Sequence, residues 1–228
     1  MSKFGLRKLG FGILLFGMAV CCYTASPVKA AETDVPIDNK TFPDATFLKY
    51  VGRFDKSGDG RLSESERNAV KEIVVNFDSL NSQTKITSLA GIEYFPNLTV
   101  LECEKNSLTG LDVTKNKKLQ ELNCDKNNLQ SLDVSQNTKL EGLHVYNTQV
   151  TALDVSNKPN LTTLKCFNNN LTSLNISGDT ALKTLSCYQN RLTSLDIGDS
   201  SELTDVSCSQ NGITELDLSQ NTQLENLH

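Results

Sequence analysis

Residues 55–66 are the segment of this chain whose side chains are best suited to chemistry, and their sequence is DKSGDGRLSESE. Oxygen atoms recur at every second residue from 55 to 63 and again at residue 66. A calcium ion takes roughly six to eight oxygen ligands and is held by this spacing in a wound loop. The candidate ligands are Asp55, Ser57, Asp59, the backbone carbonyl of Arg61, Ser63 directly or through water, and both carboxylate oxygens of Glu66. The segment therefore predicts a bound Ca2+ ion.

The same segment matches the loop of an EF-hand, in which a glycine, here Gly60, permits a sharp turn. The flanks predict two helices, one entered at residues 42–46 and one that starts at Ser63. Their inward positions are Phe47, Leu48, Val51 and Phe54 in the first and Val70 and Ile73 in the second. Leu62 takes the position of the short strand contact of EF-hands. With three carboxylates we expect a structural ion bound at about 10⁻⁴ to 10⁻³ M; the alternative is a polar turn without an ion.

A second group of potentially reactive side chains is a column of cysteines separated by multiples of 21 residues. The column consists of Cys103, Cys124, Cys166, Cys187 and Cys208. Val145 takes the same position once, which indicates a small, buried, apolar site that cysteine fills as a hydrophobic residue. Stacked parallel strands also orient neighbouring Cβ atoms poorly for a disulfide. We interpret the cysteines as core residues, with a disulfide or a metal site as the alternatives.

The elements that position these residues follow from leucines at one fixed interval of 21 residues. They are Leu98, Leu119, Leu140, Leu161, Leu182, Leu203 and Leu224. A period of about 20 to 29 residues with this pattern is typical of a leucine-rich repeat solenoid, whose coils bury their leucines against one another. We expect a parallel β-sheet on the concave face, an extended or 3₁₀ return side, and a small α-helical, EF-hand-like N-terminal cap. The predicted divisions are a signal peptide at 1–30, the cap at 31–85 and the repeats at 86–228.

Two polar columns accompany the leucines. An inward amide column is predicted to satisfy backbone groups where the chain leaves each strand; it contains Asn106, Asn127, Asn169, Asn190 and Asn211, with Thr148 as the exception. A column on the return side contains Asp112, Asp133, Asp154, Asp196 and Asp217, with Asn175 as the exception. We interpret these carboxylates as solvated groups that shape turns through the Ser or Thr two residues later. Cation binding by this column is the alternative.

The outward positions of the strands are the candidate ligand site. Three successive repeats place an aromatic residue at the same outward position, and a histidine and a lysine flank them. These residues are Tyr146, Phe167, Tyr188, His144 and Lys165. Exposed contiguous aromatic residues are enriched in binding hot spots. The equally weighted alternative is a ladder of rings that stack on each other and only stabilise the sheet.

Composition and charge indicate an exported, acidic module. The first 30 residues contain four basic residues, an apolar run and the small-residue site Val28-Lys29-Ala30, as in a signal peptide. The remaining chain has 18 basic and 27 acidic residues, a net charge of −9, which disfavours nucleic acid as a partner. No further apolar segment predicts a membrane span after the leader. Cys21 makes lipidation an alternative, although Val20 is a poor residue before a lipidated cysteine.

Catalysis is not expected, because the only histidines are His144 and His228 and His144 faces away from the inward cysteines. No zinc signature, phosphate-binding loop or nucleophile elbow is present. An anchoring module of the dockerin type is a third class, but dockerins carry two calcium loops in tandem. We therefore predict a non-enzymatic, extracellular module, secreted or attached to the cell surface, that binds an unknown protein or glycan ligand. A calcium-dependent anchoring part of a larger surface protein, or a non-functional fragment, is the alternative.

Residues 37–44, the loop 55–66 and residues 86–92 resemble secreted or surface leucine-rich repeat proteins of Gram-positive bacteria, with repeats similar to those of internalins. The resemblance covers nearly all of the chain after residue 30. It implies a curved solenoid with protein or host-surface ligands, a helical N-terminal cap and often further C-terminal modules. The sequence stops five residues into a repeat, at His228, so we expect a truncated product or a fragment with an uncapped end.

Overall fold

A computed structural model describes residues 33–80 and 84–228 of the protein. The predicted signal peptide and the candidate lipidation site at Cys21 lie outside the described residues. The described residues form a small helical unit followed by about six stacked coils.

The helical unit contains two short helices and a two-stranded sheet. Its elements are β1 (Val35–Pro36), α1 (Ala45–Val51), a 3₁₀ turn (Gly52–Phe54), β2 (Arg61–Leu62) and α2 (Glu64–Ala69). Helix α1 begins where the Asp44 carboxylate accepts the N–H groups of Thr46 and Phe47, at 2.9 and 3.0 Å. The other oxygen of Asp44 accepts the N–H of Thr87 at 2.8 Å. One carboxylate therefore starts the helix and ties it to the first coil.

The second helix is shorter than the sequence predicts. It ends at Ala69, and Val70 already has an extended backbone with ψ 118. Val70 and Ile73 are buried as expected, but Ile73 lies in strand β3 (Glu72–Val74), not in a helix. β-Branched residues fit a strand better than a helix, and here a ladder of backbone hydrogen bonds to the next coil is available. The sheet of the solenoid thus starts within the segment predicted as cap.

Eight parallel strands form the main sheet. They are β3, β4 (Val100–Glu102), β5 (Glu121–Asn123), β6 (Gly142–His144), β8 (Thr163–Lys165), β10 (Thr184–Ser186), β11 (Asp205–Ser207) and β12 (Asn226–Leu227). The repeats stay in register, so that Leu101 pairs with Leu122, and Leu122 pairs with Leu143. These central residues point inward and are buried, while the residues on either side of them point outward.

The return side of the coils is extended, as predicted. Strands β7 (Ala152–Asp154) and β9 (Ser173–Asn175) pair in parallel there, and Asp112 forms an isolated bridge with Asp133. Tight turns connect this side to the sheet, for example where the N–H of Asn116 donates to the carbonyl of Val113 at 2.9 Å. The leucine columns of both sides meet in one continuous core.

The cysteine column lies in that core. Four of the five thiols are buried and Cys208 is partly exposed. The thiols of Cys103 and Cys124 donate to the carbonyl oxygens of Asn123 and His144, at 3.4 and 3.5 Å. Burial raises the pKa of every thiol in the column, and that of Cys187 to about 12, so these thiols stay protonated at neutral pH. Their packing agrees with the interpretation of the column as core residues.

The predicted amide column is confirmed as a structural ladder. The side-chain nitrogen of Asn127 donates to the carbonyl oxygens of Cys103 and Cys124, both at 3.0 Å, and to that of Asp125 at 3.2 Å. Its side-chain oxygen accepts the N–H of Leu108 at 3.0 Å. One buried side chain thus joins two coils. In the third coil the hydroxyl of Thr148 replaces part of this pattern by donating to the carbonyl of Val145 at 3.3 Å.

The aspartate column shapes turns, also as predicted. Each member accepts the N–H of the residue two places later, as Asp133 does from Ser135 at 2.8 Å and Asp154 from Ser156 at 3.0 Å. Asn175 makes the same contact to the N–H of Ser177 at 3.1 Å. An amide therefore serves at this position as well as a carboxylate does.

A third polar column, which the sequence analysis did not assign, lies buried at the turns on the return side. Its members are Asn116, Asn137, Lys158, Asp179, Ser200 and Asn221. Asn137 donates to the carbonyl oxygens of Val113 and Asn116, each at 3.0 Å. In the two central coils a lysine and an aspartate take the place of asparagines. Burial lowers the pKa of Lys158 and raises that of Asp179 to about 7.

Candidate functional site

The outward face of the sheet carries a continuous stack of aromatic rings. Tyr146, Phe167 and Tyr188 each follow a strand by the same distance, so the register of the repeats places them side by side. The ring centroids of Tyr146 and Phe167 are 4.2 Å apart with an interplanar angle of 12°. Those of Phe167 and Tyr188 are 4.5 Å apart with an angle of 7°. All three residues are partly exposed. The rings therefore form the self-stacking ladder, and part of each residue still faces solvent.

The two flanking residues lie on the same face. His144 in β6 pairs directly with Lys165 in β8, and its ring centroid is 6.5 Å from that of Tyr146. Burial lowers the pKa of His144, and the positive charge of Lys165 lowers it further. Histidine is therefore neutral here at physiological pH. The fold brings together all five residues predicted as ligand contacts; their role in binding stays a prediction.

Carboxylates adjoin the stack on its N-terminal side. Asp125 occupies the same outward position as Tyr146 one coil earlier, and Glu104 occupies it two coils earlier. Asp125 is only 1% exposed. Its Oδ1 atom and the Oε2 atom of Glu104 are buried without a hydrogen-bond partner in residues 33–80 and 84–228. Burial raises the pKa of Tyr146 to about 12, together with a hydrogen bond to Asp125 and the charges of both carboxylates. The period of 21 residues places both acids in the column of Tyr146, but only the structure shows that one oxygen of each is buried.

One cation of the chain itself lies at this junction. The ammonium group of Lys126 is 5.7 Å from the ring centroid of Tyr146, which is within the range of a cation–π contact. Lys126 belongs to the coil before Tyr146, whereas Phe167 belongs to the coil after it. Lys126 and Phe167 therefore lie against opposite faces of the Tyr146 ring. Lys126 is exposed and has φ +52, the left-handed conformation shared by this position in successive coils.

The predicted calcium loop is wound around two carboxylates. Asp55 accepts the N–H groups of Gly58 and Gly60, at 2.6 and 2.9 Å, and the hydroxyl of Ser57 at 3.0 Å. Gly58 and Gly60 have φ +72 and +76, values that favour glycine. The N–H of Arg61 donates to Asp59 at 2.9 Å. The sharp turn expected at Gly60 is therefore present.

Glu66 closes the loop with both carboxylate oxygens. Oε1 accepts the N–H groups of Lys56 and Ser57, at 2.7 and 3.1 Å, and Oε2 accepts the N–H and hydroxyl of Ser63, both at 2.8 Å. Burial acts to raise its pKa, but the hydrogen bonds from Ser63, Ser57 and Lys56 outweigh burial and lower the pKa to about 2. Glu66 is therefore ionised at neutral pH. The hydrogen bonds to the ionised Glu66 carboxylate stabilise the folded state. This stabilisation is complete above the ordinary pKa of glutamate and is lost as the pH falls toward 2.

The short strand contact expected at Leu62 is also formed. Leu62 pairs with Val35 in the antiparallel ladder of β1 and β2 and is fully buried. Within the described parts of the chain, His, Cys, Asp and Glu side chains do not converge in groups of three or more that could hold a metal ion. A calcium ion in this loop would therefore depend on hydroxyl and carbonyl oxygens as well as on Asp55, Asp59 and Glu66. It would also have to replace hydrogen bonds that Asp55 and Glu66 make now.

Comparison with known proteins gives a match through structure. No protein-family model matches the chain, and no curated protein sequence does. Among solved structures, the functional domain of InlJ from Listeria monocytogenes, which includes a cysteine ladder, is 34% identical with a TM-score of 0.63. The match covers 87% of this chain and 48% of that domain. The chain thus spans about half the length of this relative.

Two further internalins from Listeria monocytogenes share the fold at lower identity. Internalin C2 is 20% identical, with a TM-score of 0.59 and coverage of 88% of this chain and 99% of that one. Internalin InlF is 21% identical, with a TM-score of 0.54 and coverage of 87% and 72%. This chain folds as a leucine-rich repeat solenoid.

As a leucine-rich repeat solenoid with internalin-like repeats, the chain has the architecture of protein-interaction modules, which use extended sheet surfaces for binding. The described helices are all too short to cross a membrane. The absence of catalysis stays a prediction.

Proposed function

We propose that this chain is a non-enzymatic, extracellular recognition module that binds a protein on the outward face of its main sheet. The observation that carries this proposal is the aromatic stack of Tyr146, Phe167 and Tyr188. Three adjacent, partly exposed rings are costly on a solvated surface. Rings held rigidly by their neighbours lose little conformational entropy when a partner covers them. Aromatic residues of this kind are typical centres of protein interfaces.

A protein fits the stack better than a glycan does. A sugar packs flat against the face of an aromatic ring, and both faces of Phe167 are covered by its neighbours at 4.2 and 4.5 Å. Lys126 already lies against the remaining face of Tyr146. Among the described residues, neither a ring nor a cation lies against the outer face of Tyr188. A sugar therefore has this one ring face to pack on, and the rest of the stack offers ring edges. Ring edges contact apolar and polar side chains of a protein readily, so we take protein as the ligand class.

The first prediction concerns the stack. Replacement of Tyr146, Phe167 and Tyr188 together by alanine is expected to reduce capture of protein ligands from secreted or host-surface material roughly tenfold or more, because a hot spot contributes about 2 kcal/mol or more. Capture by immobilised wild-type and variant protein, quantified by mass spectrometry, measures the effect. The variant Tyr146→Phe/Tyr188→Phe is the control, since it keeps the rings. Equal capture by the alanine variant, with an unchanged melting temperature, would remove this face as the binding site.

We propose in addition that the loop 55–66 binds a structural calcium ion. The support is the match of all six ligand positions, the turn at Gly60 and the ionised state of Glu66. The ion would fix the helical unit on the first coil, which needs a cover over its apolar end. Extracellular calcium would be sufficient to occupy a site of millimolar affinity.

The second prediction is a calcium-dependent rise in stability. Calcium at about ten times its Kd stabilises a protein by about 1.4 kcal/mol, which is expected to raise the melting temperature by about 3 °C or more. Isothermal titration calorimetry on the metal-free protein gives the affinity. Glu66→Gln should abolish both signals, whereas Glu64→Gln, at an exposed position outside the ligand set, should keep them. No binding heat and no thermal shift at millimolar calcium would reject the ion.

A further inference from the structure

The outward face of the sheet is divided between acidic and aromatic coils. Strands β3, β4 and β5 and the residues that follow them carry five outward carboxylates, which are Glu72, Glu102, Glu104, Glu121 and Asp125. The other outward positions of these coils are Val74, Asn76, Val100 and Asn123, so none is basic. The next three coils carry the aromatic stack. Asp125 and Tyr146 form the boundary between the two halves.

Asp125 keeps one buried oxygen that no contact within the described chain satisfies, although its carboxylate also has a hydrogen bond from Tyr146. Its side chain is 1% exposed, and Oδ1 lies without a hydrogen-bond partner among the described residues. Its neighbour Glu104 has a second such atom in Oε2. A buried carboxylate oxygen without a donor destabilises the folded state, because folding removes the hydrogen bonds that water makes to it and puts none in their place. Unpaired oxygens also occur in the return-side column, in Asn116, Asn137 and Asn221. The oxygens of Asp125 and Glu104 differ because they lie at the outward face, where displacement of Lys126 would bring donors from another molecule to them.

The lysines near this junction leave the two oxygens unsatisfied. Lys105 forms its ion pair with Asp78. The Lys126 ammonium lies over the Tyr146 ring and makes no hydrogen bond to Asp125 or Glu104 that would satisfy Oδ1 or Oε2. The position of Lys126 shows that the face of Tyr146 opposite Phe167 accommodates a cation. Because Lys126 is exposed and makes no hydrogen bond to either unpaired oxygen, a cation that also donates hydrogen bonds to the carboxylates can take its place on Tyr146.

We propose that the protein partner inserts an arginine side chain at this junction, with its guanidinium group against Tyr146 and its N–H groups on Asp125 and Glu104. This inference rests on the proposed function and names the chemistry of the partner. Guanidinium fits because it is planar, stacks on aromatic rings and donates several hydrogen bonds in a fixed fork to carboxylates. The net negative charge of this half of the face would also attract a basic segment and speed its association.

A direct binding test uses a short, fluorescently labelled arginine–glycine peptide and the same peptide with citrulline in place of arginine. Citrulline keeps the shape of arginine and removes its charge. Fluorescence anisotropy at low salt is expected to show binding of the arginine peptide by the wild-type protein and roughly tenfold weaker binding, or none, of the citrulline peptide. Equal binding of the two peptides, or binding of neither, would overturn the proposal.

Two matched variants separate a local site from a general effect of charge. Glu104→Gln/Asp125→Asn removes the two carboxylates and is expected to weaken binding of the arginine peptide roughly tenfold. Asp133→Asn/Asp217→Asn removes the same charge from the return side, at positions where Asn175 shows that an amide is accepted, and should leave binding unchanged. If both variants lost binding of the arginine peptide equally, the effect would come from net charge alone, and the proposed site would be wrong.

The proposal and the broader function fail in different ways. Suppose that Glu104→Gln/Asp125→Asn still binds the arginine peptide more tightly than the citrulline peptide, while the alanine variant of the stack loses capture of protein ligands. The face then binds a protein partner, but not through an arginine at this junction. If the stack variant captures normally, the face itself is not the interface. Lys126→Met provides a further check, because removal of the competing ammonium is expected to tighten binding of the arginine peptide, and weaker binding would contradict the displacement of Lys126.

Discussion

Replacement of Gly91 by alanine is expected to lower the free energy of unfolding by about 3 kcal/mol, as the sum of overpacking and backbone strain. Gly91 has φ +100, a conformation that residues with a Cβ atom rarely adopt. A Cβ atom there would overlap Cδ1 and Cε1 of Phe42 and lie 2.9 Å from the carbonyl oxygen of Thr41. Phe42 cannot move aside, because it is fully buried and packs against the rings of Phe47 and Tyr94, with centroids at 5.9 and 6.2 Å.

The consequence is larger than a local clash, since Phe42 joins the helical unit to the first coil through contacts of its ring with Tyr94 and Phe95. Chemical denaturation of wild type and Gly91→Ala, followed by circular dichroism, measures the loss. Gly110→Ala is the control, because Gly110 has no positive φ and no atom within 4 Å of the added Cβ; its effect should stay within about 0.5 kcal/mol or be slightly stabilising. Equal stability of the two variants would show that the helical unit does not pack on the solenoid in this way.

Replacement of Asn127 by alanine is expected to destabilise the protein by a similar amount, about 3 kcal/mol or more, since each buried group left unpaired costs about 1–3 kcal/mol. The substitution removes four hydrogen bonds at once. The N–H of Leu108 then has no acceptor, and the carbonyl oxygens of Cys103 and Cys124 lose a donor each. Water cannot replace the amide easily, because the site lies at 4% exposure between two coils.

Two variants test whether the loss comes from the ladder. Asn128→Ala changes the exposed neighbouring residue and should alter the stability by less than about 0.5 kcal/mol. Asn127→Thr is expected to recover part of the loss, because Thr148 occupies the equivalent position in the next coil and donates to a carbonyl there. A threonine variant no more stable than the alanine variant would contradict the inference that a hydroxyl replaces part of the hydrogen bonding of the amide at this position.

The columns of the solenoid could be predicted because each coil leaves the same backbone groups in need of a hydrogen-bond partner. An amide such as Asn127 and a carboxylate such as Asp133 bond to backbone groups at fixed sequence separations, so their roles are visible in the repeat itself. The buried column that contains Lys158 and Asp179 was missed for the opposite reason. Its members change type from coil to coil, and only the stacking shows that they are neighbours.

The end of the second helix was also decided by tertiary structure. Val70 and Ile73 suit the inward face of a helix or of a strand equally well in sequence. The neighbouring coil settles the choice, because the N–H of Val75 donates to the carbonyl of Glu102 at 2.8 Å and extends the sheet by one strand. Such a long-range hydrogen bond leaves no local trace in the sequence.

By itself the sequence determined the repeat, the inward columns, the calcium-type loop and the placement of the aromatic residues on one face, because a period of 21 residues fixes which side chains share a column. Only the tertiary structure decided that the three rings stack face to face and cover Phe167. It alone showed that Asp125 and Glu104 retain buried oxygens without donors beside Tyr146. These properties depend on distances and solvent exposure between coils, which a repeating pattern of residue types does not contain.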